Sequence, residues 1–259
     1  MRRTFRGNPL YAAVFDEYLH SVFTHGYSSE YFVEGGRSRT GRTLSPKAGM
    51  LAMTVRSYLR DSKKPMVFVP VYTGYEKVFE EKSYLGELRG KAKKKESLLD
   101  VLGTLRSFKK SFGKVNVTFG EPIHLSPYLE ERHPGWSNQD YEACNYRPDW
   151  APELVDELAT TVVTEINRAA SVNPINLIAL AILASPRQAM DENQLMRHME
   201  AYRDLLAMVP YSDMTVLPDG HASDWLAHAE ELGSVSRSKH DMGDLIQTNE
   251  RQAVTLTYY

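Results

Sequence analysis

The feature that most restricts the fold is a change of hydrophobic periodicity between residues 31 and 72. The apolar run Tyr31-Phe32-Val33 comes first, and Ser45-Pro46 then opens a helical stretch. The inner face of that stretch holds four apolar residues, namely Leu51, Val55, Tyr58 and Leu59. The nearly continuous apolar run from Met66 to Tyr72 fits a fully buried strand. Because strand, helix and strand in this order form a βαβ unit, we expect an α/β fold with a parallel-containing sheet and flanking helices.

Other segments of the first half also carry helix and strand signals. Asn8-Pro9 marks a helix start, with the asparagine as N-cap. The i, i+4 spacing of four apolar residues predicts the buried stripe of this helix, namely Leu10, Val14, Tyr18 and Val22. Further along the chain, the pattern predicts a helix from Glu96 to Phe112 and a strand from Val115 to Phe119.

Residues 131–152 read as a linker, because they combine turn-forming residues with aromatic residues that we expect to be exposed. The turn-forming residues are Pro134, Gly135, Pro148 and Pro152. The predicted domains are therefore residues 1–130, which form the α/β part, and residues 153–259.

The C-terminal domain is predicted to be mainly helical. Its helical segments are Glu153 to Ala169, 174–184, 191–208 and 222–232, and two β-prone runs at 244–247 and 253–259 would form a terminal hairpin. Helices followed by a hairpin is also the order of a winged helix, which we keep as an alternative arrangement. The segment from Ala222 to Leu232 contains acidic residues but no Lys or Arg, so we expect no nucleic-acid partner.

Charge is unevenly distributed, although the net charge is only −2. Residues 1–120 hold 22 Lys and Arg against 11 Asp and Glu, a net of +11. Residues 121–259 hold 9 against 22, a net of −13. A positive first half suits phosphorylated ligands, an acidic protein or an anionic membrane surface. The alternative is that the two halves attract each other across an interface.

Cysteine content and hydropathy limit the protein class. Cys144 is the one cysteine, which excludes an intrachain disulfide and fits a reducing compartment. The longest apolar stretch, Ile175 to Ala184, is interrupted by Asn176 and falls well short of the roughly 18 residues that a membrane-spanning helix needs. No apolar signal core follows the basic N-terminus. We therefore expect any membrane contact to be peripheral.

The most specific functional signal in the sequence is a glycine-rich segment that holds three arginines in six positions, namely Arg37, Arg39 and Arg42. The glycines of the segment are Gly35, Gly36 and Gly41. A guanidinium matches a phosphate bidentately, and glycines let the backbone approach an anion. Because the segment would lie between a strand's carboxyl end and a helix N-terminus, we expect a phosphate site there, with a solvated loop as the alternative. Glu34 could order the arginines, bind a substrate hydroxyl, or form a salt bridge to Arg37 or Arg39.

Two further basic clusters occur, and no catalytic pattern accompanies them. Arg2, Arg3 and Arg6 precede the first helix, where cations oppose the helix dipole. The lysines between 91 and 95 form either a solvated surface or a docking patch for an acidic partner. None of the eight histidines has an aspartate five positions later, and no pair has zinc-ligand spacing. The residues thus predict no metal site, no cofactor and no catalytic residue.

The segment from Phe32 to Arg42 closely resembles the third conserved block of glycerolipid acyltransferases, in the long form found in bacterial glycerol-3-phosphate acyltransferases. Met1 to Phe5 resembles the second block, and Val69 to Glu76 resembles the fourth. The resemblance covers essentially the whole chain. It implies that residues 1–130 are the C-terminal portion of an acyltransferase domain with an incomplete sheet, in an internal fragment that starts at the second block.

This resemblance implies transfer of an acyl group from acyl carrier protein or coenzyme A to the sn-1 hydroxyl of glycerol 3-phosphate, giving lysophosphatidic acid for phospholipid biosynthesis. It implies a peripheral protein at the cytoplasmic face of the bacterial inner membrane. It also implies that seven residues bind glycerol 3-phosphate, namely Arg3, Glu34, Gly35, Gly36, Arg37, Ser38 and Arg39. Pro70 would shape the acyl-donor side.

The first block of that family, His-x-x-x-x-Asp, supplies a general base and the aspartate that orients it. This block is absent from the sequence, so we expect the chain alone to be inactive. The alternative is a non-catalytic basic module that docks acyl carrier protein or anionic lipid.

Overall fold

The computed structural model describes residues 7–36, 38, 40–77, 113–139, 141 and 148–259. Contacts divide the chain into two compact units. The first unit comprises the described residues within 1–37, 43–70 and 119–167, and the second comprises those within 38–42, 71–118 and 168–259. The predicted helix from Glu96 to Phe112 and the lysine run at 91–95 lie outside the described residues.

Helices make up about half of the described residues, and short strands are interspersed among them. The helices are α1 (Pro9–Thr24), α2 (Gly49–Arg60), α3 (Leu125–Arg132), α4 (Ala151–Arg168), α5 (Pro174–Ala184), α6 (Glu192–Met208), α7 (Ala222–Leu232) and α8 (Glu250–Leu256). The strands are β1 (Val67–Phe68), β2 (Val71–Tyr75), β3 (Val115–Phe119), β4 (Ile123–His124), β5 (Ala189–Asp191), β6 (Ser236–Ser238) and β7 (Leu245–Gln247). The protein is therefore a mixed helix and sheet structure, consistent with an α/β fold.

Helix α1 begins where the sequence predicts, but it buries a different face. Asn8 is its N-cap, and Phe15 and Leu19 are its buried residues. The predicted buried stripe is wrong, because its first three members are exposed to 75%, 59% and 57%, in the order Leu10, Val14 and Tyr18. The fourth member, Val22, is half-buried. Two apolar stripes run along this helix, and spacing alone did not identify the one that packs.

Polar contacts with α2 fix the orientation of α1. Arg56 donates to Asp16 at 3.0 Å, and Arg60 donates to Glu17 at 2.7 Å. His20, one turn further along α1, hydrogen-bonds to the Ser57 hydroxyl at 2.9 Å. These groups lie on the helix beside Phe15 and Leu19, so the face that carries them turns toward α2 and the other apolar stripe turns outward.

The core of the first unit lies between α2, α3 and α4. The predicted inner face of α2 is confirmed, since Leu51, Val55, Tyr58 and Leu59 are all buried. Trp136 and Tyr141 are also buried, so the exposure expected for aromatic residues of the 131–152 segment is wrong for these two. The Tyr141 hydroxyl donates to the Trp136 carbonyl at 2.9 Å. The domain boundaries themselves stay a prediction.

The predicted βαβ unit is not formed by the described residues. Tyr31-Phe32-Val33 is not a strand. The Phe32 carbonyl accepts a hydrogen bond from the Gly35 N–H in a turn, and the Val33 carbonyl accepts one from the Lys47 N–H at the base of a loop. The apolar run 66–72 is divided into β1 and β2 by Val69-Pro70. Strand β1 pairs with β4 in the antiparallel sense, not in a parallel one.

Strands β2 and β3 form a second ribbon, and the predicted strand Val115–Phe119 is confirmed. The Gly120 N–H donates to the Pro70 carbonyl at 2.8 Å, and the Glu76 N–H donates to the Lys114 carbonyl at 3.2 Å. From the first bond to the second, the residue number rises along β2 and falls along β3, so the two strands are antiparallel.

In the second unit, helices α5, α6 and α7 enclose an apolar core beside a three-stranded antiparallel sheet of order β5–β7–β6. The hairpin is formed by β6 and β7, with Ser236 opposite Gln247. The strand predicted at 253–259 is wrong, since residues 250–256 form helix α8. Asn249 and Gln252 close a capping box there, and this start signal prevails over the β propensity of the residues that follow.

No helix in the described part of the chain is long and apolar enough to cross a membrane. The apolar helix α5 has 11 residues, and Asn176, which interrupts its apolar stretch, is part of its N-terminal capping box.

Candidate functional site

Five of the eight predicted substrate-binding residues are described by the structure, namely Glu34, Gly35, Gly36, Ser38 and Pro70. Arg3, Arg37 and Arg39 lie outside the described residues. The geometry of the site is therefore described through the residues that hold the base and the tip of the glycine-rich loop.

The base of this loop is held in the first unit. Val33 is buried in the core, and its carbonyl accepts a hydrogen bond from the Lys47 N–H at 2.7 Å. The Glu34 carboxylate accepts a hydrogen bond from the Leu44 N–H at 2.6 Å. Glu34 thus bridges the two ends of an eleven-residue loop, 34–44, a role that none of the sequence alternatives for this residue included.

Gly35 has the left-handed conformation that the turn requires, with φ of +61°. A Cβ atom here would lie 2.7 Å from Cγ of Lys47, so the lysine stem lies directly against the glycine. The stem of the Lys47 side chain therefore packs against the base of the loop. Lys47 was not among the predicted site residues. The one sequence signal for it is that a basic residue just before a helix start opposes the helix dipole.

The described residues at the tip of the loop, 38 and 40–42, belong to the second unit. The Ser38 hydroxyl accepts a hydrogen bond from the Thr40 N–H at 3.3 Å. Gly41 has φ of +75°, and a Cβ atom at this position would overlap the carbonyl oxygen of Tyr258. Glycine is required here by close approach of two backbones as well as by conformation.

Pro70 is buried in the first unit, at the point that separates β1 from β2. Its carbonyl accepts the Gly120 N–H, and a Cβ atom on Gly120 would lie 3.1 Å from Cβ of Pro70. Pro70 belongs to the segment from Val69 to Glu76 that resembles the fourth family block, and its contact with Gly120 joins this segment to the end of β3.

A second polar cluster, within the second unit, was not anticipated. Glu76 is 3% exposed, and its carboxylate accepts from the Lys114 N–H at 2.6 Å and contacts His228 Nε2 at 2.8 Å. The Lys77 ammonium donates to the Leu232 carbonyl at the end of α7 at 2.6 Å. Glu76 and Lys77 thus fasten the end of β2 to one helix. Their partners on this helix lie over 150 residues away along the chain, beyond any local sequence signal.

One further group lies beside the loop. Burial raises the pKa of Tyr31 to about 12, so its hydroxyl stays protonated at neutral pH. Among the described residues, no group of three or more His, Cys, Asp or Glu side chains is arranged to hold a metal ion.

Two family models match the chain. The model described as "Acyltransferase" matches residues 2–74, which include the whole glycine-rich loop. The model described as "Glycerol-3-phosphate acyltransferase C-terminal region" matches residues 84–259, which is more than half of the chain. Glu76 and Lys77 lie between the two matched regions.

The chain is also similar to curated bacterial proteins named "Glycerol-3-phosphate acyltransferase". It is 52% identical to one from Pseudomonas putida (strain GB-1), 51% identical to one from Pseudomonas aeruginosa (strain LESB58) and 50% identical to one from Pseudomonas fluorescens (strain SBW25). Each match covers 100% of this chain and 31% of the relative, so the chain spans about a third of the length of these relatives. The extent of the C-terminal family match shows that the chain belongs to the glycerol-3-phosphate acyltransferase family.

Proposed function

We propose that this chain is the glycerol 3-phosphate-binding portion of an acyltransferase that transfers an acyl group from acyl carrier protein or coenzyme A to the sn-1 hydroxyl of glycerol 3-phosphate. The product would be lysophosphatidic acid. The observation that carries the proposal is the Glu34–Leu44 hydrogen bond, which joins the two ends of the segment 34–44, a segment whose sequence is rich in glycine and arginine.

The loop suits a phosphomonoester for two reasons. Gly35, Gly36 and Gly41 carry no side chains, so a phosphate can approach the backbone N–H groups closely. The sequence of the same segment supplies the guanidinium groups of Arg37 and Arg39, which match a phosphate bidentately, and the basic residue Lys47 follows the segment closely. Arg3 and Ser38 complete the proposed set. Because Glu34 is engaged by Leu44, its proposed role is to shape the loop.

A binding assay on the purified chain tests this role. Arg37→Ala should weaken glycerol 3-phosphate binding by roughly tenfold to a hundredfold, since a hydrogen bond to a charged group contributes about 1.5–3 kcal/mol. Arg37→Lys should recover only part of the affinity, because a point charge does not reproduce a bidentate fork. Arg197→Ala, at an exposed arginine of α6, is the matched control. Equal affinities in Arg37→Ala and the control would remove the phosphate role.

Catalysis requires a base that this chain does not carry in the form His-x-x-x-x-Asp. We therefore infer that the chain binds glycerol 3-phosphate but does not acylate it by itself. Release of thiol from acyl-coenzyme A by the purified chain, dependent on glycerol 3-phosphate, would contradict this inference.

We also infer a peripheral location at the cytoplasmic face of the bacterial inner membrane, with an anionic surface as a partner. The net charge of +11 in residues 1–120 supports this location. The same charge supports the second candidate function, a non-catalytic module that docks acyl carrier protein or anionic lipid. Sedimentation with vesicles of anionic lipid tests the location, and glycerol 3-phosphate binding separates the two functions, because a docking module has no need of it.

For the fold, we infer that β2 and β3 belong to a larger, parallel-containing acyltransferase sheet. The apolar sides of Val71, Tyr75 and Val117 are 40%, 43% and 54% exposed, and a two-stranded ribbon is marginal by itself.

The C-terminal order α5–β5–α6–α7–β6–β7 favours a winged-helix-like arrangement. Helix α7 has Asp224, Glu230 and Glu231 and no Lys or Arg, so we infer that this arrangement does not bind nucleic acid. An experimental structure of a full-length relative would test the sheet and this arrangement together.

A further inference from the structure

The tip of the glycine-rich loop rests on the turn that follows helix α8, residues 257–259. Gly41 lies so close to the main-chain oxygen of Tyr258 that a Cβ atom on Gly41 would overlap this oxygen. With φ of +75°, Gly41 also has a backbone conformation that favours glycine. A side chain at position 41 would therefore have to push the loop tip and the turn apart. Both segments belong to the second unit.

The turn is anchored in the core of the second unit. Leu256, the last residue of α8, is 2% exposed and belongs to that core. The Tyr258 N–H donates to the Thr255 carbonyl at 3.1 Å. The Tyr259 N–H donates to the Leu256 carbonyl at 3.1 Å, and the Tyr259 side chain packs against the same core. The main-chain oxygen on which Gly41 rests is therefore fixed by buried contacts.

A side chain from helix α5 also reaches the turn. The Asn176 Nδ2 group donates to the main-chain oxygen of Tyr259 at 3.2 Å. The Oδ1 atom of the same side chain accepts from the Asn173 N–H at 2.7 Å, as part of the capping box of α5. The amide oxygen of Asn176 thus caps the helix, whereas its nitrogen ties the turn to the helix. A substitution that keeps the oxygen and removes the nitrogen would separate these two roles.

Tyr72 of strand β2 lies beside the same turn. Its ring covers Gly74, since a Cβ atom on Gly74 would lie 2.8 Å from Cε1 of Tyr72. Burial raises the pKa of Tyr72, and the charge of the neighbouring Tyr258 hydroxyl adds to this rise. The Tyr258 side chain therefore lies near β2, while its main chain lies under the loop tip.

Arg42 is the side chain that this contact places. It follows Gly41 directly and is exposed. Among the residues that the structure describes, no hydrogen bond or ion pair engages its guanidinium. Binding costs less when the groups that bind are already ordered, and the main chain next to Arg42 is held by the contact of Gly41. Arg42 is therefore available to bind a phosphate bidentately.

We propose that Tyr258 is a positioning residue for the tip of the glycine-rich loop, and that it acts through Arg42, which binds the phosphate of glycerol 3-phosphate. The identity of this anion rests on the proposed function. Tyr258 lies in the region that the C-terminal family model matches, whereas Gly41 and Arg42 lie in the region that the acyltransferase model matches. The inference thus gives the C-terminal region a part in binding the substrate.

Titration calorimetry of glycerol 3-phosphate with the purified chain tests the inference. Arg42→Ala should weaken binding by roughly tenfold, the usual effect of losing one hydrogen bond to a charged ligand. Gly41→Ala should weaken binding by a similar factor, because its Cβ atom displaces the loop tip from Tyr258. Gly49→Ala is the matched control, since Gly49 is exposed and a Cβ atom there would meet nothing within 4 Å. It should bind as the unmodified chain does.

Asn176→Asp separates positioning from stability. The carboxylate keeps an oxygen for the capping box and suits the N-terminus of a helix, so the thermal unfolding should stay close to that of the unmodified chain. The donor to Tyr259 is lost, and we expect glycerol 3-phosphate binding to weaken by roughly threefold to tenfold, the range of one neutral hydrogen bond. In the Arg42→Ala background, neither Asn176→Asp nor Gly41→Ala should cause a further loss, because both act through Arg42.

Two results would overturn the inference. The first is binding by Gly41→Ala and Asn176→Asp that equals binding by Gly49→Ala. The second is a further loss when either change is added to Arg42→Ala, since the turn would then act through other groups. A loss of binding in Arg37→Ala leaves the proposed function standing in both cases. If Gly41→Ala fails to fold, Asn176→Asp decides by the same two criteria.

Hydrogen exchange at the loop tip separates this inference from the proposed function. If the unmodified chain binds no glycerol 3-phosphate, the proposed function fails, and the exchange of residues 38–42 then decides whether the turn positions the tip. Faster exchange there in Asn176→Asp than in Gly49→Ala supports the positioning role of the turn. Equal exchange in the two variants overturns it.

Discussion

Helices α1 and α5 both carry strong apolar patterns, yet they are held in place in different ways. In α5, Ile175, Ile178 and Ile182 are completely buried, and neighbouring helices of the second unit surround them. In α1, one apolar stripe is exposed, and the contacts with α2 include the ion pairs of Asp16 and Glu17. The comparison teaches that hydrophobic spacing identifies a helix, while charged partners can decide which side of it is buried.

The largest expected difference concerns stability. Ile178→Ala in α5 should lower the free energy of unfolding by about 2–5 kcal/mol, because it empties a fully buried site. Val14→Ala in α1 should change it by less than about 0.5 kcal/mol, because that side chain is exposed. Urea denaturation of both variants measures the difference, and similar losses would mean that the exposed stripe of α1 is covered in solution.

The helix caps provide a smaller contrast. The Asn173 side chain accepts from the N–H groups of Ile175 and Asn176, and Asn173 is itself 5% exposed. Asn8 accepts from the Tyr11 N–H alone. We expect Asn173→Ala to cost about 1–2 kcal/mol and Asn8→Ala about 0.5–1 kcal/mol, because only the first leaves a buried amide donor, that of Ile175, unsatisfied. Thermal unfolding of the two variants gives the order, and a larger loss in Asn8→Ala would reverse the comparison.

The smallest effect depends on pH. The hydrogen bond from Arg60 holds the pKa of Glu17 below its ordinary value. A lowered carboxyl pKa contributes stability that is present above the ordinary carboxyl pKa and is lost as the pH falls through the lowered value. Since the Glu17 side chain is 58% exposed, we expect Glu17→Gln to cost about 0.2–1 kcal/mol at neutral pH and nothing in acid.

Ile178→Ala is the control for this pH dependence, because an aliphatic side chain does not titrate. Its destabilisation should stay constant while that of Glu17→Gln disappears. A Glu17→Gln difference that persists in acid would show that the ion pair does not hold α1.

Local signals were enough to predict some elements and not others. The inner face of α2 and strand β3 follow from periodicity alone, and the glycine-rich loop was located by its composition. The strand expected at 253–259 was wrong because a capping box starts a helix there. The strand expected at 31–33 was wrong because that backbone makes turn and loop hydrogen bonds.

The internal bracing of the candidate site was harder to predict. A carboxylate at position 34 has many potential partners. Its contact with the Leu44 backbone N–H cannot be predicted from residue types, because the partner is a main-chain group. The contact of Glu76 with His228 joins residues that are 152 positions apart, so neither local spacing nor composition indicates it.

The close approach of Gly41 to the Tyr258 carbonyl bears on the order of events during synthesis. A ribosome adds roughly 5–20 residues per second, so residue 258 is made on the order of tens of seconds after residue 41. Until then, the tip of the glycine-rich loop lacks the backbone on which it finally rests. The tip of the loop therefore reaches its final packing only after the 217 residues from 42 to 258 have been added.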